Sequence, residues 1–279
     1  MGSYGVVYRG VFSRGEGGGD DASSANGANY INCVVKYAWY PHCVNERDVY
    51  SALQNHRHPN IIEMYMCVVK RTRIEFVLEY ARGADMFVVV MDDPCGGEKM
   101  KPHLRSCIDQ LLSGVAFLHS VGVGHYDLKP ENIIVDLSPR GVSLKIIDMG
   151  FAVVGGATIF TDKRLGSPTY AAPEVLLTIR GERAGYIDVK AADVWSVGVI
   201  IHIVCTRKTP YRFSEWKQLI PRGKFPRMRV EKSPHMGDIG ELLKRIFVIM
   251  PQTRITSKDA LDLFRNEIAI TIPNQITPE

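Results

Sequence analysis

Several side chains in this sequence stand at spacings that packing alone does not explain. The run His125-Tyr-Asp127-Leu-Lys129-Pro-Glu131-Asn132 places an ammonium and an amide two and five residues beyond a carboxylate. A short apolar stretch leads into Asp148-Met149-Gly150, and upstream Val34-Val35-Lys36 sets a lysine beside β-branched residues. Gly2-Ser-Tyr-Gly5-Val-Val7 forms a glycine-rich turn at the start. Transfer of a phosphoryl group needs a backbone cradle for phosphate, cations beside it, carboxylates to hold metal, and a base near the nucleophile. The chain offers a candidate for each. A loop that carries carboxylate, cation and amide together has no simple packing explanation.

In order and wording these motifs resemble the eukaryotic protein kinases, over nearly the whole chain from Gly2 to about Glu267. The run from His125 to Asn132 is similar to the catalytic loop H-R-D-L-K-x-x-N. On that resemblance Asp127 accepts the proton of the incoming hydroxyl, Lys129 stabilises charge on the moving phosphoryl group, and Asn132 ligates Mg2+ through its amide oxygen. Asp148 stands at the D-F-G aspartate, bridging the phosphates of ATP through Mg2+. Met149 replaces the phenylalanine as a softer apolar plug, stacked with Met64, Tyr50 and His125 in a core column that carries no chemistry. Lys36 matches the strand lysine that grips the α- and β-phosphates. Its expected partner is Glu46, because Tyr50 and Leu53 follow at packing positions. Asp48 is the alternative, with Ala52 and Asn55 in their place. Gly2, Gly5 and Val7 resemble the end of G-x-G-x-x-G-x-V, where backbone N–H groups approach phosphate. The first glycine and the strand before it are absent, so the resemblance implies a late start, weakened ATP binding and an open sheet edge.

Leu78-Glu79-Tyr80-Ala81 resembles the hinge, where backbone groups of Glu79 and Ala81 pair with the adenine edge and Leu78 limits depth. Gly83-Ala-Asp85-Met-Phe87 is similar to the G-G-E-L-F of calcium/calmodulin-dependent-like kinases. Asp85 then touches ribose or a basic substrate residue, or is a surface aspartate that starts a helix. Gly166-Ser-Pro-Thr-Tyr170-Ala-Ala-Pro-Glu174 resembles the end of the activation segment, with Ser167 bonding Lys129 and Asp127. Glu174 is expected to pair with Arg254, and Asp193 to hold the catalytic-loop backbone. Tyr126 replaces the arginine that binds a phosphorylated activation-segment residue, which implies independence from that switch. Thr158 and Thr161 remain candidate phosphosites. The motif wording is nearest the calcium/calmodulin-dependent-like group, including its plant stress kinases. The tail after Glu267 carries neither a calcium loop nor a clear calmodulin-binding helix.

The elements that must position these residues follow from apolar spacing. Strands are expected at 31–38, 61–69 and 74–80, and a short helix at 45–54. Residues 13–29, rich in Gly, Ser and Asp, read as a flexible loop. Leu104, Ile108, Leu111, Leu112, Val115 and Leu118 make the stripe of an amphipathic helix. Residues 132–135 and 144–147 fit a hairpin. The apolar run 194–205, about a dozen residues, reads as a helix buried on every side. A strand-rich first part followed by a helix-rich second part predicts an α+β, two-lobed fold with the site in the cleft. The lobes are expected at 1–80 and 81–267, with a short tail at 268–279.

A formal net charge of +4, scattered along the chain, gives no argument for nucleic acid or an anionic membrane. Six dispersed cysteines without a C-x-x-C pair argue against zinc or a disulfide framework and for a reducing compartment. No basic and apolar blocks of a secretory signal open the chain, and a cytoplasmic or nuclear location is expected. The resemblance implies a Ser/Thr kinase using ATP and Mg2+ on protein substrates, with Asp85 and Glu131 favouring a basic residue upstream of the target. The alternative is a pseudokinase, a nucleotide-binding scaffold without turnover. A third reading is an unrelated ATP-using enzyme, which would need another explanation for so many ordered motifs.

Overall fold

A computed structural model of the chain describes residues 5–14, 29–40, 43–91, 99–138, 141–155, 158–161, 167–179, 185–212, 214–215 and 239–268. The β-branched and aromatic residues of the first part form β1 (Gly5–Arg14), β2 (Asn29–Trp39), β3 (Met64–Val69) and β4 (Arg73–Glu79). They pair antiparallel in the order β1-β2-β4-β3. Burial alternates along β4, with Ile74, Phe76 and Leu78 inside, as period-two geometry requires. Helix α1 (Val44–Leu53) buries Glu46, Val49, Tyr50 and Leu53. The register sets Val7 opposite Lys36, and Lys36 opposite Phe76. Lys36 therefore shares the α1-covered face of the sheet with buried apolar neighbours.

Two expected boundaries move. Ser13, Arg14 and Asn29 belong to strands, so the ends of the expected loop 13–29 are paired, and residues 15–28 lie outside the described residues. Strand β3 starts only at Met64, because the backbone before it is committed to the second part of the chain. The Ile62 N–H donates to Ile146 O at 3.0 Å, and Ile61 forms an isolated parallel bridge with Ile146. Asn60 Nδ2 donates to Leu144 O at 2.9 Å and to Gln110 Oε1 at 3.0 Å. This segment is a joint between the lobes.

The chain crosses over after Glu79. Strand β5 (Ala84–Asp85) pairs with β7 (Ile133–Ser138), which pairs with β8 (Gly141–Ile146). Gly83 makes the crossing at φ 108°, where a Cβ would lie 2.1 Å from Val135 O, so only glycine fits. Helix α2 (Met86–Met91) follows, and then α3 (Leu104–Ser120), whose stripe from Leu104 to Leu118 is buried as its spacing predicts. The short strands β6 (Val123–Gly124) and β9 (Val153–Val154) flank the loops of the site. Strand β10 (Thr158–Thr161) pairs with β11 (Gly185–Asp188). Beyond them stand α4 (Pro173–Ile179), α5 (Val189–Thr206), α6 (Ile239–Ile246) and α7 (Ser257–Glu267).

Helix α5 is longer than the dozen residues expected. Asp188 caps its start by accepting from Ala191 N, and Arg207 ends it in the left-handed region at φ 57°. Its mean hydropathy of 1.5 over 18 residues would suffice for a membrane span, but 78% of it is buried inside the protein. It is a core helix. Gly198 lets α6 approach, since a Cβ there would stand 2.4 Å from Ile246 and 2.9 Å from Phe247.

Candidate active site

The first group joins three distant elements. Lys36 Nζ on β2 donates to Glu46 Oε1 of α1 at 2.6 Å and to Asp148 Oδ1 at 2.8 Å. Lys36 and Glu46 are 6% and 2% exposed, so the pair is shielded from solvent screening. Burial opposes the lysine charge, but the two carboxylates outweigh it and raise Lys36 above an ordinary lysine. Burial pushes Glu46 up, and Lys36 only partly pulls it back. For Asp148, burial is outweighed by Lys36, His125 and the Gly150 amide, which hold the carboxyl below its ordinary value. Asp148 takes φ 63°, and a Cβ on Gly150 would stand 3.1 Å from its carboxylate oxygen. Glycine permits this close approach. The alternative partner, Asp48, pairs instead with its exposed neighbour Arg47 at 2.7 Å.

The second group is the loop after β6. Asp127, 5% exposed, receives Lys129 Nζ on Oδ2 at 2.7 Å and Ser167 Oγ on Oδ1 at 3.2 Å. Lys129 Nζ also reaches Ser167 Oγ at 3.2 Å. Asn132 Nδ2 donates to Asp127 O at 2.9 Å and to Asp127 Oδ2 at 3.2 Å. The amide nitrogen of Asn132 thus faces the loop, and its oxygen turns the other way. An amide oxygen on Asn132 and a carboxylate on Asp148 are hard oxygen donors of the kind Mg2+ accepts. The donor set fits that ion.

Asp193 of α5 supports this loop from beneath. Its carboxylate accepts from His125 N at 2.7 Å, Tyr126 N at 2.8 Å and His119 Nε2 at 3.0 Å. His119 Nδ1 in turn meets Ser257 Oγ at 2.8 Å. Tyr126 takes φ 64°, an uncommon conformation for a bulky residue, and the two backbone bonds to Asp193 hold it there. His125 accepts the Asp127 N–H on Nδ1 at 3.3 Å and donates from Nε2 to Ile147 O at 3.0 Å, which sets the tautomer. The Tyr126 ring lines a cavity of about 10 Å³ with Leu128, Tyr170, Ala172 and Val175. Its hydroxyl has no partner among the described residues. Arg254 grips Glu174 through two bonds of 2.8 and 3.0 Å and donates to three backbone carbonyls as well.

The remaining expected residues are placed as follows. Val7 lies opposite Lys36 and is 55% exposed, while Gly5 opens β1 opposite Ala38. Gly2 and Gly166 lie outside the described residues. Leu78 is buried at the end of β4, and half-buried Ala81 follows the strand. The Glu79 N–H donates to Glu63 O at 2.8 Å and its carboxylate pairs with Lys145 at 2.8 Å, so its side chain ties β4 to β8. Asp85 Oδ1 accepts from Val88 N at 2.9 Å, so its carboxylate caps α2. Of the expected column, Tyr50, His125 and Met149 are fully buried and Met64 is partly buried.

Three contributors were not found from sequence: the His119–Ser257 extension, the Glu79–Lys145 bridge and Tyr211. Tyr211 Oη donates to Thr169 O at 2.8 Å. The local signal for the first was a histidine, His119, directly after the α3 stripe.

The chain matches the protein kinase domain family over residues 34–263. It is 33% identical over 238 residues to CBL-interacting protein kinase 19 of Oryza sativa subsp. japonica, covering 82% of this chain and 42% of the relative. It is 34% identical over 222 residues to Serine/threonine-protein kinase SRK2B of Arabidopsis thaliana, covering 77% and 59%. Serine/threonine-protein kinase SAPK7 of Oryza sativa subsp. japonica is 34% identical over 223 residues, again with 77% and 59% covered. The chain therefore spans about two to three fifths of these relatives' length. A match over residues 34–263, on a two-lobed fold with these motifs in order, makes the chain a member of the protein kinase family.

Proposed function

We propose that the chain transfers the γ-phosphoryl group of ATP to serine and threonine hydroxyls of protein substrates. The observation that carries this reading is Asp127 held beside Lys129 and Ser167 at 2.7 and 3.2 Å, on a loop that also presents Asn132. Asp127 orients the acceptor hydroxyl and takes its proton, as a base within hydrogen-bond reach does. Lys129 offsets negative charge near the acceptor. Lys36, fixed between Glu46 and Asp148, grips the nucleotide phosphates. Asn132 and Asp148 are the residues that would hold Mg2+, which when bound neutralises phosphate charge.

The relatives named as serine/threonine kinases support hydroxyl acceptors of that class, and the Ser167–Lys129–Asp127 contacts agree with it. A preference for a basic residue upstream of the target rests on exposed Glu131, whose charge acts on the buried Tyr170 phenol. Asp85 contributes less, since it caps α2. Regulation follows from Tyr126. It lines a small cavity with Tyr170 and Val175 and supplies no cation where the family's arginine would await a phosphate, so activity is independent of activation-segment phosphorylation. Phosphatase treatment that removed most activity would contradict this.

The test is radiolabelled phosphate transfer from Mg·ATP to a generic basic Ser/Thr protein, beside Asp127→Asn. Transfer that disappears in the variant supports the kinase and the role of Asp127. ATP binding without transfer in the unaltered chain would instead support the scaffold.

A further inference from the structure

The segment after Ser167 lies beside the acceptor site. An acceptor hydroxyl must approach Asp127 to about 3 Å, and Ser167 Oγ already stands 3.2 Å from the same carboxylate. Each substrate residue advances the chain by at most about 3.6 Å. The residue next to the acceptor is therefore within reach of Ser167 and of the turn that follows it, residues 168–170. This short stretch is a turn, closed by the Tyr170 N–H on Ser167 O at 3.0 Å. Two of its carbonyls are tied down from the core: Ser196 Oγ of α5 donates to Tyr170 O at 2.9 Å, and Tyr211 Oη donates to Thr169 O at 2.8 Å.

Tyr211 is built for this contact. It is 1% exposed, and its ring packs 6.5 Å from that of Trp195 at 39°. Thr209 Oγ1 donates to its carbonyl at 2.8 Å, which fixes the turn after α5. Burial pushes the phenol above its ordinary range, so it remains a donor at physiological pH. None of the phosphate-binding side chains touches it among the described contacts.

We propose that Tyr211 is a positioning residue for the protein substrate, its hydroxyl holding the Thr169–Tyr170 backbone against which the substrate residue next to the acceptor lies. This rests on the kinase reading above. Tyr211→Phe keeps the ring and removes the hydroxyl's bond to Thr169 O, along with its contact to the Trp195 side chain. With a basic serine peptide as probe, its peptide KM rises about 3- to 10-fold, as loss of one neutral bond implies. The KM for ATP and the basal hydrolysis of ATP stay unchanged. Amide exchange of residues 169–171 speeds up, while that of α5 does not. Ser196→Ala, acting on the neighbouring carbonyl, shifts the peptide KM in the same direction and serves if the first variant folds poorly.

An unchanged peptide KM and unchanged exchange in Tyr211→Phe, with an active unaltered chain, would overturn the positioning role alone. An equal rise in the KM for ATP would also overturn it, because the effect would then be global. An unaltered chain that binds ATP but transfers nothing to the peptide would overturn the kinase reading and this role together.

Discussion

Replacing Asp193 with asparagine should loosen the catalytic loop without touching the phosphate grip. The carboxylate is 1% exposed and accepts three N–H groups, from His125, Tyr126 and His119. Asparagine has one acceptor oxygen, and its NH2 group must face a donor. In the better orientation the oxygen keeps His125 N and His119 Nε2, and the Tyr126 N–H loses its partner. Losing one charge-assisted bond costs about 1.5–3 kcal/mol, and the other two weaken to neutral strength. The total is about 3–5 kcal/mol, a large part of the stability of a single domain. At roughly 2–4 °C per kcal/mol for a chain of this size, the melting midpoint should fall by about 6–20 °C.

The lost bond is also one of the two that hold Tyr126 at φ 64°, a conformation strained by about 1–3 kcal/mol. Its release moves the following residue, Asp127. A base displaced by about 1 Å can lose 100-fold in rate. The kcat for a serine peptide should therefore fall at least 10-fold, while the KM for ATP stays within about 2-fold. Thermal unfolding and steady-state kinetics on the same preparations would measure both. An Asp193→Asn protein that melts within about 2 °C of the unaltered chain and keeps its kcat would show that the three bonds do not position the loop.

Arg254→Lys should lower stability by about 2–4 kcal/mol in urea unfolding, because lysine cannot reproduce the paired bonds to Glu174 and the three carbonyl contacts of the buried Arg254 side chain. Tyr126→Phe should leave stability unchanged or raise it by up to about 1 kcal/mol, since the hydroxyl it removes is buried without a partner among the described residues. A clear loss in the same assay would mean that the hydroxyl is satisfied in solution. His58 should make the fold acid-sensitive. Burial, Lys145 and Arg265 lower it from the ordinary 6.5, and its Nδ1 accepts from Asn60 N at 3.2 Å. The unfolded chain then binds more protons below pH 6.5, so this contribution is present above 6.5 and is lost as pH falls toward the folded value. Urea midpoints measured between about pH 7 and 5 should fall less for His58→Asn than for the unaltered chain.

Much of the site was legible because its chemistry demands particular side chains at fixed short offsets. Asp127, Lys129 and Asn132 stand within one loop, and backbone geometry over so few residues leaves little freedom in how they meet. Glu46 was legible for a different reason: Tyr50 and Leu53 at +4 and +7 define the buried face of α1, and Glu46 lies on it. The two-lobed fold followed from the change in apolar spacing from period two to helical spacing.

Other features depended on contacts between elements far apart in sequence. Asp85 carries the same local pattern whether or not it caps a helix, and only the folded backbone brings Val88 N to its carboxylate. Residues 61–63 look like strand, yet the backbone of Ile61 and Ile62 turns to Ile146 and leaves β3 to begin at Met64. Tyr211 reaches Thr169 across 42 residues, and Lys36 reaches Asp148 across 112. Local spacing determines which face a side chain occupies. Which distant donor meets which acceptor is decided by how whole elements pack, since each buried polar group must find its partner in the assembled fold.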